Sequence, residues 1–413
     1  GDHRDLLSFP TRRSSDLVMG QVNLHREKAV TYFSLRGDGP LIWSKSDSWD
    51  DEEEEHLVVK RRAGQHEIWQ DGKLVRKVPL SKMTLAHSHA LESWLVDPKR
   101  SSGDRTEMFE PDWRQDPVDQ QSIIVYHGRG TALWRHKPIE VFQVDMLVQG
   151  LRLQGEVTRH LLPLKARVGG MLEIRLEEEK QARQLDAVAS WTDWGLPLNR
   201  SIDKPQEIER VNLRATSTEP LKLPSNHRQT VKPVSGGWEI ELRRETMPPQ
   251  PGPVPKEALE SDYTTRSSPE MTALARRLVA PHKERRKQVE AIMAWVSQSV
   301  EDSSVGQATT AEMVFKARAG DCTEHSILFV ALCKAVGIPA RLAQGAMYVE
   351  GDMPFFGWHQ WAEIHNGTGW VGVDPTWNQY GVDATHLLFD NDPKDLSSFN
   401  QIGRLKLELV ERS

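Results

Sequence analysis

From residue 18 to about 247 the apolar positions come in short alternating or β-branched runs broken by turn residues. Residues 57–60 (LVVK), 67–70 (EIWQ) and 73–76 (KLVR) are three such runs. Asp71 and Gly72, between the last two, supply the positive φ that a two-residue hairpin turn requires. Residues 123–126 (IIVY), 139–144 (IEVFQV) and 172–176 (LEIRL) continue the series, and 238–242 (WEIEL) alternates with period two after Gly236 and Gly237. Runs of this kind without long helical stretches between them predict a mainly antiparallel sheet, a half-barrel or sandwich. One helix, over residues 80–95, is expected to pack on it. No internal repeat interrupts the pattern.

The pattern changes after residues 248–255 (PPQPGPVP), which hold five prolines in eight positions. Proline fixes φ and removes a donor, so a stiff connector is predicted over 248–260. Beyond it the apolar spacing is helical. Ser268 can cap, Pro269 suits a first helical position, and Met271, Leu274, Ala275 and Leu278 fall on one face. Val289, Ile292, Met293 and Val296 form a second stripe. The predicted organisation is an α+β chain: a tail at 1–17, a mainly antiparallel β-rich region at 18–247 in one or two subdomains, the linker, and an α+β domain at 261–413. Residues 9–17 (FPTRRSSDL) look like a conceptual translation of a DNA-sequencing adapter. Residues 1–17 are therefore expected to be artefactual or disordered, with the natural N-terminus and any signal peptide missing.

Composition narrows the function classes. A net charge of -6 over 413 residues, most of it on the C-terminal third, gives no reason to expect nucleic acid as a partner. No apolar run is long enough for a transmembrane helix. The acidic run at 50–55 reads as a solvated loop, and His87 and His89 read as helix-face residues, since no third ligand accompanies them. Neither a metal nor another cofactor is expected. The two cysteines, Cys322 and Cys333, lie eleven residues apart. On one helix that is about 16 Å, too far for a disulfide.

The chemistry concentrates around Cys322. Gly320 and Asp321 precede a strongly helical apolar run that stops at Gly337, Ile338 and Pro339. Apolarity nearly all round predicts a buried helix with Cys322 in its first turn. Free N–H groups and the helix dipole there favour a thiolate. A cysteine is as readily a small buried hydrophobe, which is the reading of Cys333. What separates the two is a pair of strands downstream. Residues 357–365 (GWHQWAEIH) and 369–376 (GWVGVDPT) flank a turn at 366–369 (NGTG). If His365 pairs with Trp370, Trp361 faces Asp374, and His359 lies diagonal to Asp374 on the same face, about 5.5–8 Å away. That places an imidazole beside a carboxylate, a base with its orienting partner. His365, next to the turn, reads as a surface residue.

Residues 320–326 (GDCTEHS), 337–341 (GIPAR), 359–363 (HQWAE) and 374–377 (DPTW) together resemble the bacterial transglutaminase-like superfamily. The order Cys, His, Asp and the intervals of 37 and 15 residues agree with it. Residues 382–386 (VDATH) are also similar to bacterial members, whereas the family's usual aromatic near residues 300–302 is absent. The resemblance covers about 261–413. It implies a papain-like α+β fold with Cys322 as nucleophile, His359 as general base then acid, and Asp374 as its partner. It further implies attack on peptide or isopeptide amides of a protein or peptide substrate through a thioester, with hydrolysis preferred. Protein-glutamine crosslinking is the alternative, and a catalytically silent assembly or binding protein is a third. Relatives with an appended β-rich domain are often bacterial and exported, so the N-terminal region is expected to position substrate or bind the envelope.

Overall fold

In the computed structural model the described residues are 6–7, 12–18, 21–50, 53–114, 118–168, 172–178, 195–245, 253–303, 310–351, 353–392, 395–401 and 403–412. The fold is α+β. The chain divides into two compact units, residues 1–189 and 190–413.

The N-terminal unit is built from two antiparallel sheets. One comprises Leu6–Leu7, Arg12–Val18, Gln21–Ser34, Leu41–Asp50, Glu53–Arg62, Gln65–Gln70 and Lys73–Val78. The runs expected at 57–60, 67–70 and 73–76 are its last three strands, and Asp71 and Gly72 both take positive φ in the turn between the final two. Arg12–Val18 pairs with Gln21–Glu27 in this sheet. The other sheet is a six-stranded meander from Arg105–Pro111 to Leu172–Arg175. The expected helix spans Leu85–Val96, capped by the Thr84 hydroxyl. Its Leu91 and Leu95 are buried with Ile124, Tyr126, Phe142 and Val144 of the meander. His87 accepts from the Phe109 N–H and lies beside its ring.

In the C-terminal unit the strands of the two main sheets are β1 (Leu196–Pro197), β2 (Arg210–Thr216), β3 (Gln229–Val234), β4 (Gly237–Arg243), β5 (Ala340–Val349), β6 (Phe355–His365), β7 (Trp370–Asp374), β8 (Gln379–Tyr380), β9 (His386–Asp390) and β10 (Lys406–Arg412). The helices are α1 (Pro269–Val279), α2 (Arg285–Ser299), α3 (Ala311–Ala317) and α4 (Cys322–Ala335). Ser268 caps α1 and Pro269 opens it, as the sequence predicts. An antiparallel sheet in the order β8-β7-β6-β5-β9, with β1 on β6, lies beside a four-stranded sheet β3-β4-β2-β10. The four helices bury one core with the former sheet through Met271, Val289, Ile292, Val314, Ile364 and Val371. Helix α4 is central to it, since residues 324–333 are all buried.

Residues 195–245 were expected with the N-terminal β-rich region, yet they are built into the C-terminal unit. Strand β2 pairs with β10 at the end of the chain. Ile202, Leu213 and Ile240 share a core with Phe356 and Leu387. The Gln229 side chain takes the place of a strand partner, donating to the Leu388 carbonyl and accepting from its N–H, each at 2.8 Å. Glu245 accepts from the Gly372 N–H at 2.9 Å. The proline-rich stretch misled because proline marks a stiff connection whether or not a domain ends there. Residues 248–252 of that stretch lie outside the described residues; Pro253 accepts from the Trp370 indole N–H at 3.0 Å. No described helix is long and apolar enough to cross a membrane.

Candidate active site

Helix α4 begins at Cys322 because residues 320–324 form a complete cap. The Asp321 carboxylate accepts from the Thr323 N–H at 2.7 Å, and the Glu324 carboxylate reaches back to the Asp321 N–H at 2.9 Å. His325 donates to the Asp321 carbonyl at 2.7 Å. Gly320 lies so close that a Cβ there would stand 2.3 Å from the Glu324 Cβ. Cys322 thus occupies the first helical position, half-buried, with a backbone N–H that has no acceptor within the helix. Cys333 is fully buried on the same helix, and burial pushes its thiol well up.

The β6–β7 hairpin has the register that the turn implies, with His365 opposite Trp370 and Ala362 opposite Val373. His359 and Asp374 consequently share a face, and the His359 Nε2–H donates to Asp374 Oδ2 at 2.7 Å. The Cys322 side chain lies close enough to act on the same imidazole. The three expected residues are therefore brought together, Cys322 from α4, His359 from β6 and Asp374 from β7. His365 differs from expectation: it is buried, stacked edge-on against Trp370 at 5.6 Å, and accepts from the Gly367 N–H. The turn folds over it.

Electrostatics ties the three groups. Burial pushes the His359 imidazole down, but the Asp374 carboxylate and, behind it, the Cys322 sulfur outweigh that and raise it from 6.5 to about 10. Burial pushes the Asp374 carboxyl up, yet His359 and His386 together hold it far below the usual carboxylate range. Trp361, fully buried, stacks on the His359 ring at 6.0 Å and meets His386 edge-on at 5.3 Å. It fixes both rings and keeps water from the ion pair.

One member of this cluster carries no assigned role in the sequence. His386 is buried at the start of β9, with its Nε2 3.3 Å from Asp374 Oδ2 and its Nδ1 3.2 Å from Asp383 Oδ1. Its signal lay in residues 382–386, but β5 and β6 separate β7 from β9 in the sheet, and no turn arithmetic links 374 to 386. Donor atoms of His359, Asp374 and His386 lie within 4.8 Å of one another, the only such grouping among the described residues. Every one of those atoms already takes part in the hydrogen bonds just given, so the grouping reads as a proton-linked chain.

The model of the transglutaminase-like superfamily matches residues 272–375, from within α1 to the end of β7. Solved structures are also similar to the chain. A candidate cysteine protease from Cytophaga hutchinsonii is 18% identical, with 50% of this chain and 86% of that one covered and a TM-score of 0.30. The periplasmic domain of TgpA from Pseudomonas aeruginosa is 15% identical, with coverages of 44% and 86% and a TM-score of 0.30. A candidate protease from Parabacteroides distasonis is 10% identical, with coverages of 92% and 72% and a TM-score of 0.23. No curated protein matches. The matched residues include Cys322, His359 and Asp374, and the domain at 272–375 is a member of the transglutaminase-like superfamily.

Proposed function

We propose that the protein is a cysteine enzyme that cleaves peptide or isopeptide amides, with Cys322 as nucleophile, His359 as acid and base, and Asp374 as its orienting partner. The observation that carries this reading is the buried His359–Asp374 bond, 2.7 Å long, with the Cys322 side chain acting on the same imidazole. An imidazole raised to about 10 is charged at neutral pH and can give a proton to a leaving group.

The thiolate attacks the amide carbonyl carbon, forming a C–S bond and a tetrahedral oxyanion. The Cys322 N–H, free at the helix start, is positioned to donate to that oxygen. His359 gives the proton on Nδ1 to the departing nitrogen as the C–N bond breaks, leaving a thioester. Water then attacks the thioester carbon, His359 takes its proton, and the C–S bond breaks to restore the thiolate. A lysine-type amine in place of water would give crosslinking; the preference for water rests on the family resemblance.

Labelling by iodoacetamide across pH, on wild type and His359→Ala, tests the pair. Fast labelling already present below neutral pH and lost in the variant is expected. Labelling that follows an ordinary thiol titration in both would overturn the enzymatic reading and favour a binding role. A peptide library and a fluorescent primary amine then separate the reactions: new peptide termini without amine incorporation are expected. Amine incorporation without cleavage would replace hydrolysis with crosslinking.

A further inference from the structure

We propose that His386 is a positioning residue for the reaction, holding the Asp374 carboxylate in the plane that serves His359. The proposal rests on the Cys322–His359–Asp374 reading above and extends it outward.

Asp374 is completely buried, so a carboxylate left to rotate would find no water to compensate lost hydrogen bonds. Its two oxygens are held differently. Oδ1 accepts from the Thr376 N–H at 2.9 Å, while Oδ2 accepts from His359 and from His386. Without His386, the described bonds to Asp374 would be the Thr376 N–H on Oδ1 and His359 on Oδ2, leaving Oδ2 to the imidazole that it is meant to orient. His386 gives Oδ2 a second partner that is not part of the reacting pair. Its own ring is fixed from behind by Asp383, which in turn accepts from the Thr385 N–H and hydroxyl and from Gln379. The result is a chain Asp383–His386–Asp374–His359–Cys322 that alternates carboxylate and imidazole.

The charges facing His386 are few. They are Asp374 from β7, Asp383 from the loop before β9, and His359 from β6, with ring centroids 5.7 Å apart. Arg228 meets Asp383 at its backbone carbonyl and pairs with Glu245. Both His386 nitrogens face carboxylate oxygens, Nε2 that of Asp374 and Nδ1 that of Asp383. The apolar wall is Trp361, which touches both imidazoles. A histidine that merely filled space would not require this double pairing, at the cost of burying Asp383 as well.

Two substitutions separate the two bonds. Gln places its amide nitrogen near Nε2 of histidine and can still donate to Asp374. Asn reaches only the Nδ1 position and can donate to Asp383 alone. The readout is the rate of Cys322 alkylation by iodoacetamide against pH, with thermal melting as the control for folding. Relative to wild type, His386→Asn is expected to lower the rate at pH 6 by about tenfold to a hundredfold, the range for one hydrogen bond to a charged group. The foot of its pH profile should move upward. His386→Gln should restore most of the rate.

Should the Asn variant fail to fold, ¹⁵N-histidine spectra of the wild type decide. An Nε2–H resonance of His386 protected from exchange and distinct from that of His359 is expected. Its absence would overturn the proposal, as would a fast wild-type profile that neither variant changes. Slow labelling in the wild type itself would overturn the underlying Cys322–His359 reading together with this one.

Discussion

Replacing Asp374 by Asn isolates the charge of the proposed triad from its shape. The carboxylate is fully buried, 2.7 Å from His359 Nε2. At an effective dielectric of about 20, unit charges about 3–4 Å apart attract by about 4–5 kcal/mol. Raising an imidazole from 6.5 to about 10 corresponds to about 5 kcal/mol, the net of that attraction, the cost of burial and the contribution of Cys322. The Asn side chain keeps the volume and one acceptor but no charge. The His359 imidazolium then loses its main support, and the proton passes to the Cys322 sulfur. An ordinary thiol, with a pKa of about 8.5, is only about 0.3% ionised at pH 6. Allowing for the greater nucleophilicity of a more basic thiol, alkylation at pH 6 should fall by about a hundredfold. Alkylation by iodoacetamide, read by mass spectrometry on Cys322, measures this directly. A variant that melts normally and labels at the wild-type rate at pH 6 refutes the reasoning.

Linkage gives the same substitution a second signature. The folded-state value of His359 lies above its unfolded value, so its contribution to stability is complete below about 6.5 and is lost as pH rises toward about 10. Asp374 is shifted the other way, so its contribution is present above the ordinary carboxylate range and is lost as pH falls below it. From about pH 6.5 to about pH 10 the wild type should therefore surrender up to about 5 kcal/mol that Asp374→Asn lacks from the start. Urea unfolding at the two ends of that window would show parallel curves for both proteins if the pair contributed nothing.

Other outcomes follow from the helix cap and the core. Burial, reinforced by the Asp321 carboxyl, raises Glu324 from 4.5 to about 8, so the cap should weaken as pH rises through that range. Glu324→Gln keeps an acceptor for the Asp321 N–H and should flatten that dependence, by up to about 5 kcal/mol in urea unfolding. Gly320→Ala forces a Cβ to within 2.3 Å of the Glu324 Cβ, so the start of α4 must shift. Melting should report about 1–3 kcal/mol of lost stability, and Cys322 labelling should slow in parallel. Cys333 is fully buried, so native iodoacetamide should label Cys322 alone, and Cys333→Ala should leave the labelled stoichiometry unchanged. A chain begun at residue 261 should give no cooperative melt, whereas one begun at 190 should. The first loses Leu196, Ile202, Val211, Leu213, Ile240 and Leu242, all essentially fully buried. At about 1.5–3 kcal/mol each, that loss matches or exceeds the whole stability of an ordinary domain.

How much of this was legible depended on how far along the chain the relevant interactions reach. The start of α4 could be read because a cap is local: Gly320, Asp321 and Glu324 settle it within five residues. The His359–Asp374 pairing could be read because a four-residue turn fixes the register of two adjacent strands, and His365 does face Trp370. The burial of His365 escaped the same arithmetic, since register says which residues are opposite and not what covers them.

Two features were beyond local rules. Residues 195–245 have the alternation of the strands before them, and alternation reports a half-buried strand without naming the sheet it joins. Only the long-range pairing of β2 with β10 and the Gln229 clasp on Leu388 assign them to the C-terminal unit. His386 is the sharper case. It was visible as part of a motif but had no partner within reach of any helical or strand period, because β5 and β6 lie between it and Asp374 in the sheet. The two boundaries coincide: Gln229 fixes Leu388 two residues beyond His386, and Glu245 fixes Gly372 two residues before Asp374. The segment whose membership the sequence hid is thus the one that holds both strands carrying the hidden contact, so the same long-range pairing decides where the unit begins and how its carboxylate is set.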